Sequence, residues 1–90
     1  PADDWRAASA NWGDEAWHRG EQVLLASGPA AARPWFALVL AHVAEPTDLQ
    51  RALHGFCVAA ADGDAARLAA MTVVVRRLGV PAALAPVFAG

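Results

Sequence analysis

Two residues of types that bind zinc, His54 and Cys57, lie three positions apart in the second half of the chain. On a helix this spacing places them on neighbouring turns, and His42 is a possible third ligand. A structural zinc site needs four ligands and a catalytic site three plus water, and only His18 or a carboxylate could complete the set. The simpler interpretation is a solvated His54 and a small core residue at Cys57. We therefore expect no bound metal and no cofactor.

Pairs of acidic residues are the second feature that could do chemistry. They occur at Asp3-Asp4, at Asp14-Glu15, and at Asp62 and Asp64. Such pairs can act as general acid and base, but each lies at a predicted helix start, where negative charge interacts favourably with the helix dipole. The spacing also gives no reason to bring a nucleophile and a base together. We expect a protein that is not an enzyme.

The first third of the sequence predicts two helices, which must position three of the four tryptophans. A short helix, capped by an aspartate, carries Trp5 and Trp12 on one face and ends at a break over residues 11–14. A second helix covers residues 14–27, where a Gly-Pro pair stops it. Gly20 inside that helix costs about 1 kcal/mol relative to alanine and permits a kink there.

An apolar segment between two prolines is the most distinctive part of the chain. From Pro34 onward, eleven consecutive residues carry no formal charge. Pro34 suits the first turn of a helix, and Pro46 disfavours helical geometry in the residue before it. The predicted helix over residues 34–45 is apolar on all sides and must be covered on all sides, yet it is shorter than the about 20 residues that span a bilayer. It is either the centre of a small domain or a surface for a partner.

Local capping signals predict two further helices. Thr47 and Gln50 have the spacing of a capping box, which starts a helix that runs to about residue 61. Asp64 can cap the next helix. Its inward stripe comprises Leu68, Met71, Val75 and Leu78. The apolar tail, residues 81–90, is either one last turn packed on the body or a loose end.

Composition limits the classes of partner. The 90 residues carry a formal charge of −2, and every basic residue is an arginine. This excludes the basic footprint of a nucleic-acid binder and argues against an anionic membrane surface. A single cysteine cannot form an internal disulfide, which suits a reducing cytoplasm. The hydrophobic content of 57% exceeds the usual ~45–50%, so we expect part of it to be buried against another protein.

An approximate repeat runs through this pattern. A Gly-Asp pair opens a helix at residue 13 and again at residue 63, and Pro29 and Pro81 follow those helices. Turn, helix and proline at this spacing are typical of the second half of a tetratricopeptide hairpin, although they are also ordinary helix punctuation. We expect an all-α fold of about five helices in antiparallel hairpins, stacked as a tetratricopeptide-like array within a single domain over residues 1–90.

The tryptophans have two interpretations that the sequence leaves open. Tryptophan is enriched in the hot spots of interfaces, and it also fills the core of a chain that is rich in alanine. We expect at least one tryptophan of the first third to be partly exposed. The four residues are Trp5, Trp12, Trp17 and Trp35.

Two segments resemble a known family. One is residues 34–38, Pro-Trp-Phe-Ala-Leu, with His42 four beyond them; the other is residues 49–56, Leu-Gln-Arg-Ala-Leu-His-Gly-Phe. Together with weaker matches as far as residue 77, they resemble the tetratricopeptide-like co-chaperones of type III secretion needle subunits, the YscG/PscG type. The second segment is similar to that family's Leu-x-Arg-x-Leu-x-Gly-Leu stretch. The resemblance covers residues 33–77, about half the chain.

The resemblance implies a cytoplasmic, all-helical, non-enzymatic adaptor. That family pairs with a second small helical chaperone and holds the needle subunit monomeric, because its concave face buries the amphipathic C-terminal helix of that client. This is a helix-in-groove mode of binding. It would explain why the segment between the two prolines is apolar on all sides.

Our first functional hypothesis is therefore a chaperone that binds an apolar helix of a small client and prevents its premature assembly. The expected partner contacts are Trp17, Leu24, Trp35, Leu38, His42 and Phe56. A homodimeric helical bundle with a regulatory or structural role is the alternative. A helical protein that binds a metal or cofactor through His42, His54 and Cys57 is a third hypothesis, from another class.

Overall fold

The computed structural model describes residues 12–89, in which five α-helices and one short 3-10 helix follow one another without any strand. The α-helices are Trp12–Ser27 (α1), Pro29–His42 (α2), Asp48–Ala61 (α3), Ala65–Leu78 (α4) and Ala85–Phe88 (α5). The 3-10 helix, Ala82–Leu84, precedes α5. Each of the first three helices packs against the next one along the chain. The expected all-α helical array is confirmed.

Helix α1 begins earlier than the sequence predicts. Trp12 and the residues after it are already helical, so the break expected over residues 11–14 does not occur in the described part of the chain. Gly20 does not interrupt α1 either. A Cβ atom there would lie 2.8 Å from Cε1 of Phe36, so this glycine lets the ring of α2 pack directly on the α1 backbone. The short helix expected around Trp5 lies outside the described residues.

Helix α2 is displaced towards the N-terminus relative to the prediction of residues 34–45. Pro29 takes the first helical position, and Pro34 lies inside the helix. That internal proline removes the bond to the carbonyl of Ala30, and both residues are exposed, so water can satisfy the carbonyl. The helix ends at His42 because Val43 turns to extended geometry, with φ −94° and ψ 124°, and packs against the core.

The capping signals of the next two helices are confirmed. The backbone N–H of Gln50 donates to Oγ1 of Thr47 at 3.1 Å, and the N–H of Thr47 donates to Oε1 of Gln50 at 2.8 Å, which completes the capping box. Asp64 Oδ1 accepts from the N–H of Arg67 at 3.0 Å. Helix α4 ends where Gly79 adopts a φ of 106°, a conformation that favours glycine.

The inward stripe of α4 is only partly as predicted. Val75 is fully buried, and Leu68 and Met71 pack against the core from half-buried positions. Leu78 is instead exposed over 44% of its surface. It lies beside Asp48, where α3 begins, and no described residue of the chain covers its outer side.

The C-terminal segment is packed on the body rather than loose. Leu84 and Phe88 are buried, and the ring of Phe88 lies 4.9 Å from that of Phe56 between centroids. Arg76 donates from Nε and Nη2 to the carbonyl oxygen of Phe88, at 3.1 and 2.9 Å. The 3-10 helix and α5 also contact α1. The segment therefore contacts the first, third and fourth helices.

One hydrophobic core runs through all of these elements. Its largest fully buried side chains are Phe36, Leu53, Leu84, Val39, Val75 and Cys57. Each α-helix contributes at least one buried residue to it. None of the helices described here has the length and apolar character needed to cross a membrane.

Candidate partner-binding site

A trough of about 800 Å³ opens at the surface between α1 and α2. Its α1 side consists of Trp12, Glu15, Ala16, His18, Arg19 and Gln22. Most of these follow the three- and four-residue spacing that brings side chains to one face of a helix. Because α1 begins at Trp12 rather than after it, the indole joins this face. The hairpin of α1 and α2 thus forms both walls of the trough.

The α2 wall of the trough is apolar apart from His42. It is formed by Trp35, Leu38 and His42, again at helical spacing. At one end of the trough Trp12 meets His42 edge to face, with ring centroids 5.2 Å apart and an angle of 82° between the planes. Trp12 and Leu38 remain exposed over 42% and 38% of their surfaces. Large apolar side chains therefore line this wall and one end while still in contact with solvent.

The α1 wall is polar apart from Trp12 and Ala16. Glu15, Arg19 and Gln22 face the trough from exposed positions on successive turns. Near the same wall, Nδ1 of His18 lies 3.5 Å from Oε1 of Glu21. One polar and one apolar wall suit an amphipathic segment, whose apolar stripe contacts α2 while its polar flank contacts α1.

Three of the six partner contacts expected from the sequence, Trp35, Leu38 and His42, come together in this trough. Leu24 and Phe56 do not line it. They are exposed over only 2% and 7% of their surfaces and belong to the core, so the folded chain does not present them to a partner.

The sixth expected contact, Trp17, packs at the border of the core. It is half-buried and lies edge-on against Phe36, with centroids 5.5 Å apart. Trp12 lines the trough but is not among the partner contacts expected from the sequence. Its spacing of three, four and seven residues to Glu15, Ala16 and Arg19 is the signal that could have found it, once the helix is known to begin there.

The possible metal ligands do not form a site within the described part of the chain. Cys57 is buried, and this burial raises the pKa of its thiol to about 12, so the thiol stays protonated near neutral pH and is a poor ligand and nucleophile. Burial, and then the charge of Arg33, lower the pKa of His54. Within residues 12–89, no three histidine, cysteine or acidic side chains lie close enough to hold a metal ion. His42, His54 and Cys57 are therefore not brought together.

The acidic pairs within the described chain occupy helix ends. Asp14 and Glu15 lie in the first turn of α1, and Asp64 caps α4. Asp62 lies at the C-terminal cap of α3. Helix capping and the helix dipole therefore account for three of these four carboxylates.

The α1–α2 trough is thus the strongest candidate site on structural grounds. It is open, aromatic at one end, and lined by side chains that can bury apolar surface and form hydrogen bonds. Comparison with known proteins identifies no relative of this chain. No protein-family model matches the chain, and no curated protein or solved structure matches it either.

Proposed function

We propose that this protein is a small helical adaptor that binds an apolar helix of a partner protein in the α1–α2 trough. The observation that carries the proposal is the group formed by exposed Trp12 and Leu38 and half-buried Trp35 along one open trough. Contiguous exposed apolar side chains with a polar border are typical of a protein-binding surface, and tryptophan is enriched in hot spots. An amphipathic helix is the occupant whose shape and two-sided character match this trough.

The most specific form of the proposal is a cytoplasmic chaperone of a type III secretion needle subunit. Its support is the sequence resemblance over residues 33–77, a range that includes all three α2 residues of the trough. The stacked helical hairpins are compatible with a tetratricopeptide-like array. In this role the chain, alone or with a second small chaperone, covers the client's apolar helix and so prevents premature assembly.

The test compares two exposed leucines, only one of which lies in the trough. Leu38 lines it, whereas Leu25, exposed over 46% of its surface, lies elsewhere on α1. Native mass spectrometry of the chain purified from its own host identifies the partner, and calorimetry with that partner measures Kd. We expect Leu38→Ala to raise Kd about tenfold or more, as truncation of a hot-spot residue does, while Leu25→Ala leaves Kd unchanged.

The same measurements can contradict the proposal. Equal effects of the two substitutions on Kd would show that the partner does not bind specifically in the trough. Trp35→Ala adds a second check, because it should abolish the complex while the circular dichroism of the chain stays helical. If helix content and binding are lost together, Trp35 is a core residue and the trough is not the binding site.

A further inference from the structure

Helix α4 exposes a second apolar surface that shares no residue with the α1–α2 trough. Met71, Val74 and Leu78 lie three and four residues apart along it. With Ala52 of α3 they line a shallow groove of about 380 Å³. Val74 and Leu78 are exposed over 39% and 44% of their surfaces. We call this surface the α4 face.

The composition of the α4 face indicates that something covers it. Val74 and Leu78 lie four residues apart on one side of α4 and line the same groove as Met71, so they form a contiguous apolar stripe, unlike a single exposed valine. The spacing of Met71, Val74 and Leu78 matches the rows with which one helix packs into the grooves of another. A second helix lying along α4 would bury these side chains.

Charges at the two ends of the α4 face indicate which helix covers it. The start of α4 carries Asp64 and Arg67, and Asp62 precedes it, so acidic groups are in excess there. The other end is predominantly basic, with Arg77 on α4 and with Arg51 beside Asp48 at the start of α3.

An antiparallel copy of α4 brings opposite charges together at both ends. The acidic start of one copy then lies beside the basic end of the other. A parallel arrangement places like ends together, which is unfavourable. Arg76 is not counted among these charges, because its guanidinium donates two hydrogen bonds to the carbonyl oxygen of Phe88.

We propose that the α4 face pairs with the α4 face of a second copy of this chain, with the two α4 helices antiparallel about a two-fold axis. Such an interface is self-complementary, as a two-fold dimer requires. An interface made by a few side chains of one helix on each copy is small, which predicts a weak, reversible dimer rather than an obligate one. The two surfaces share no residue, so the α4 pairing uses none of the side chains that line the α1–α2 trough.

Two neighbouring valines provide a matched test. Val73 is exposed like Val74 but does not line the groove. Sedimentation velocity of the chain from about 1 to 200 µM should show a monomer–dimer equilibrium in the range expected for a weak interface. Val74→Lys should weaken the dimer by more than about tenfold, because two like charges then meet near the axis. Val73→Lys should leave the equilibrium unchanged, with equal helix content in both variants.

A charge exchange tests the antiparallel arrangement. Arg77→Glu alone should weaken the dimer, because it makes the basic end of one copy acidic where it lies beside the acidic start of the other. Adding Asp62→Arg to the same chain should restore the dimer, because the net charges of the two ends are then reversed together. Failure of the double variant to recover overturns the antiparallel pairing.

Other outcomes reject self-association itself. A chain that stays monomeric over the whole concentration range overturns it, and so does a dimer that Val73→Lys and Val74→Lys weaken equally. A monomer whose Val74→Lys variant loses a different protein partner would assign the α4 face to that partner instead. None of these readouts depends on binding in the trough.

Discussion

At the scale of single residues, Gly20 sets how closely α1 and α2 approach. A Cβ atom there would lie 2.8 Å from Cε1 and 2.9 Å from Cζ of Phe36, and this ring is buried in the core. We predict that Gly20→Ala destabilises the protein by about 1–3 kcal/mol through overpacking, although alanine is the better helix former. Urea denaturation followed by circular dichroism measures the free energy of unfolding.

Gly55 offers the matched control for that substitution. It also lies inside a helix, but a Cβ atom there would be 3.3 Å from Cε of Met71, the flexible end of a side chain that can move aside. Gly55→Ala should therefore be near neutral, or stabilising by up to about 1 kcal/mol through helix propensity. Equal destabilisation by the two substitutions would mean that loss of space at Phe36 is not the cause.

His54 gives the folded chain a predictable response to acid. Burial, and secondarily the charge of Arg33, lower its pKa in the folded state, whereas the unfolded chain keeps a value of about 6.5. Protonation therefore favours unfolding. The contribution of His54 to stability is complete above about pH 6.5 and is lost as the pH falls from there towards the lower folded pKa.

The corresponding substitution is His54→Gln. We predict that this variant loses stability less steeply than the wild-type chain between about pH 7 and pH 5, because it lacks the group that takes up a proton on unfolding. Urea denaturation at several pH values measures the slope. A variant with the wild-type slope would assign the acid response to other groups.

At the scale of helices, the sequence predicts ends that local chemistry determines. The capping box at Thr47 and Gln50, the aspartate cap at Asp64 and the stop at Gly79 are each made by residues within a few positions of one another. Their hydrogen bonds do not depend on the rest of the fold, so a sequence pattern is sufficient to find them.

Helix ends that depend on distant contacts were not predictable in the same way. Pro29 and Pro34 both have the local pattern of a helix start, and α2 begins at Pro29 because the exposed position of Pro34 lets the helix continue through it. Val43 ends α2 where its side chain packs against Gly13 of α1. That contact exists only after the first hairpin has formed, and no local signal encodes it.

The candidate site shows the same division between local and tertiary information. Trp35, Leu38 and His42 lie on one face of one helix, so spacing alone groups them. The burial of Leu24 and Phe56 could not be predicted in this way, because it depends on which residues cover them. The ring of Phe88, 32 positions later in the sequence than Phe56, packs on that residue, and only the folded chain reveals this contact.

At the scale of the whole molecule, the C-terminal segment connects helices that are otherwise linked only through their neighbours. Consecutive helices contact one another along the array, whereas the 3-10 helix and α5 reach back to α1. Phe88 adds a contact to α3 through Phe56, and its carbonyl accepts two hydrogen bonds from Arg76 of α4. Contacts of this kind between distant parts of the sequence make the unfolding of a small helical array more cooperative.

We predict that Phe88→Ala destabilises the protein by about 3–5 kcal/mol, the usual cost of deleting a buried ring. A domain of this size has only about 5–15 kcal/mol in total, so the loss should be visible as a large decrease in the urea midpoint. Pro86→Ala is the control, because Pro86 is exposed in the same short helix and should change the free energy of unfolding by less than about 1 kcal/mol.

Two spectroscopic probes of unfolding can distinguish loss of the contacts between the C-terminal segment and α1 from a simple loss of core packing. In a Trp5→Phe background the remaining tryptophans, Trp12, Trp17 and Trp35, all lie in the first hairpin. Their fluorescence then reports on α1 and α2, whereas circular dichroism reports on every helix. The wild-type transitions should coincide, as two-state unfolding requires. In Phe88→Ala the two probes should separate, because α1 is no longer held to α3 and α4 through the C-terminal segment. Coincident transitions at a lower midpoint would assign Phe88 to core packing alone.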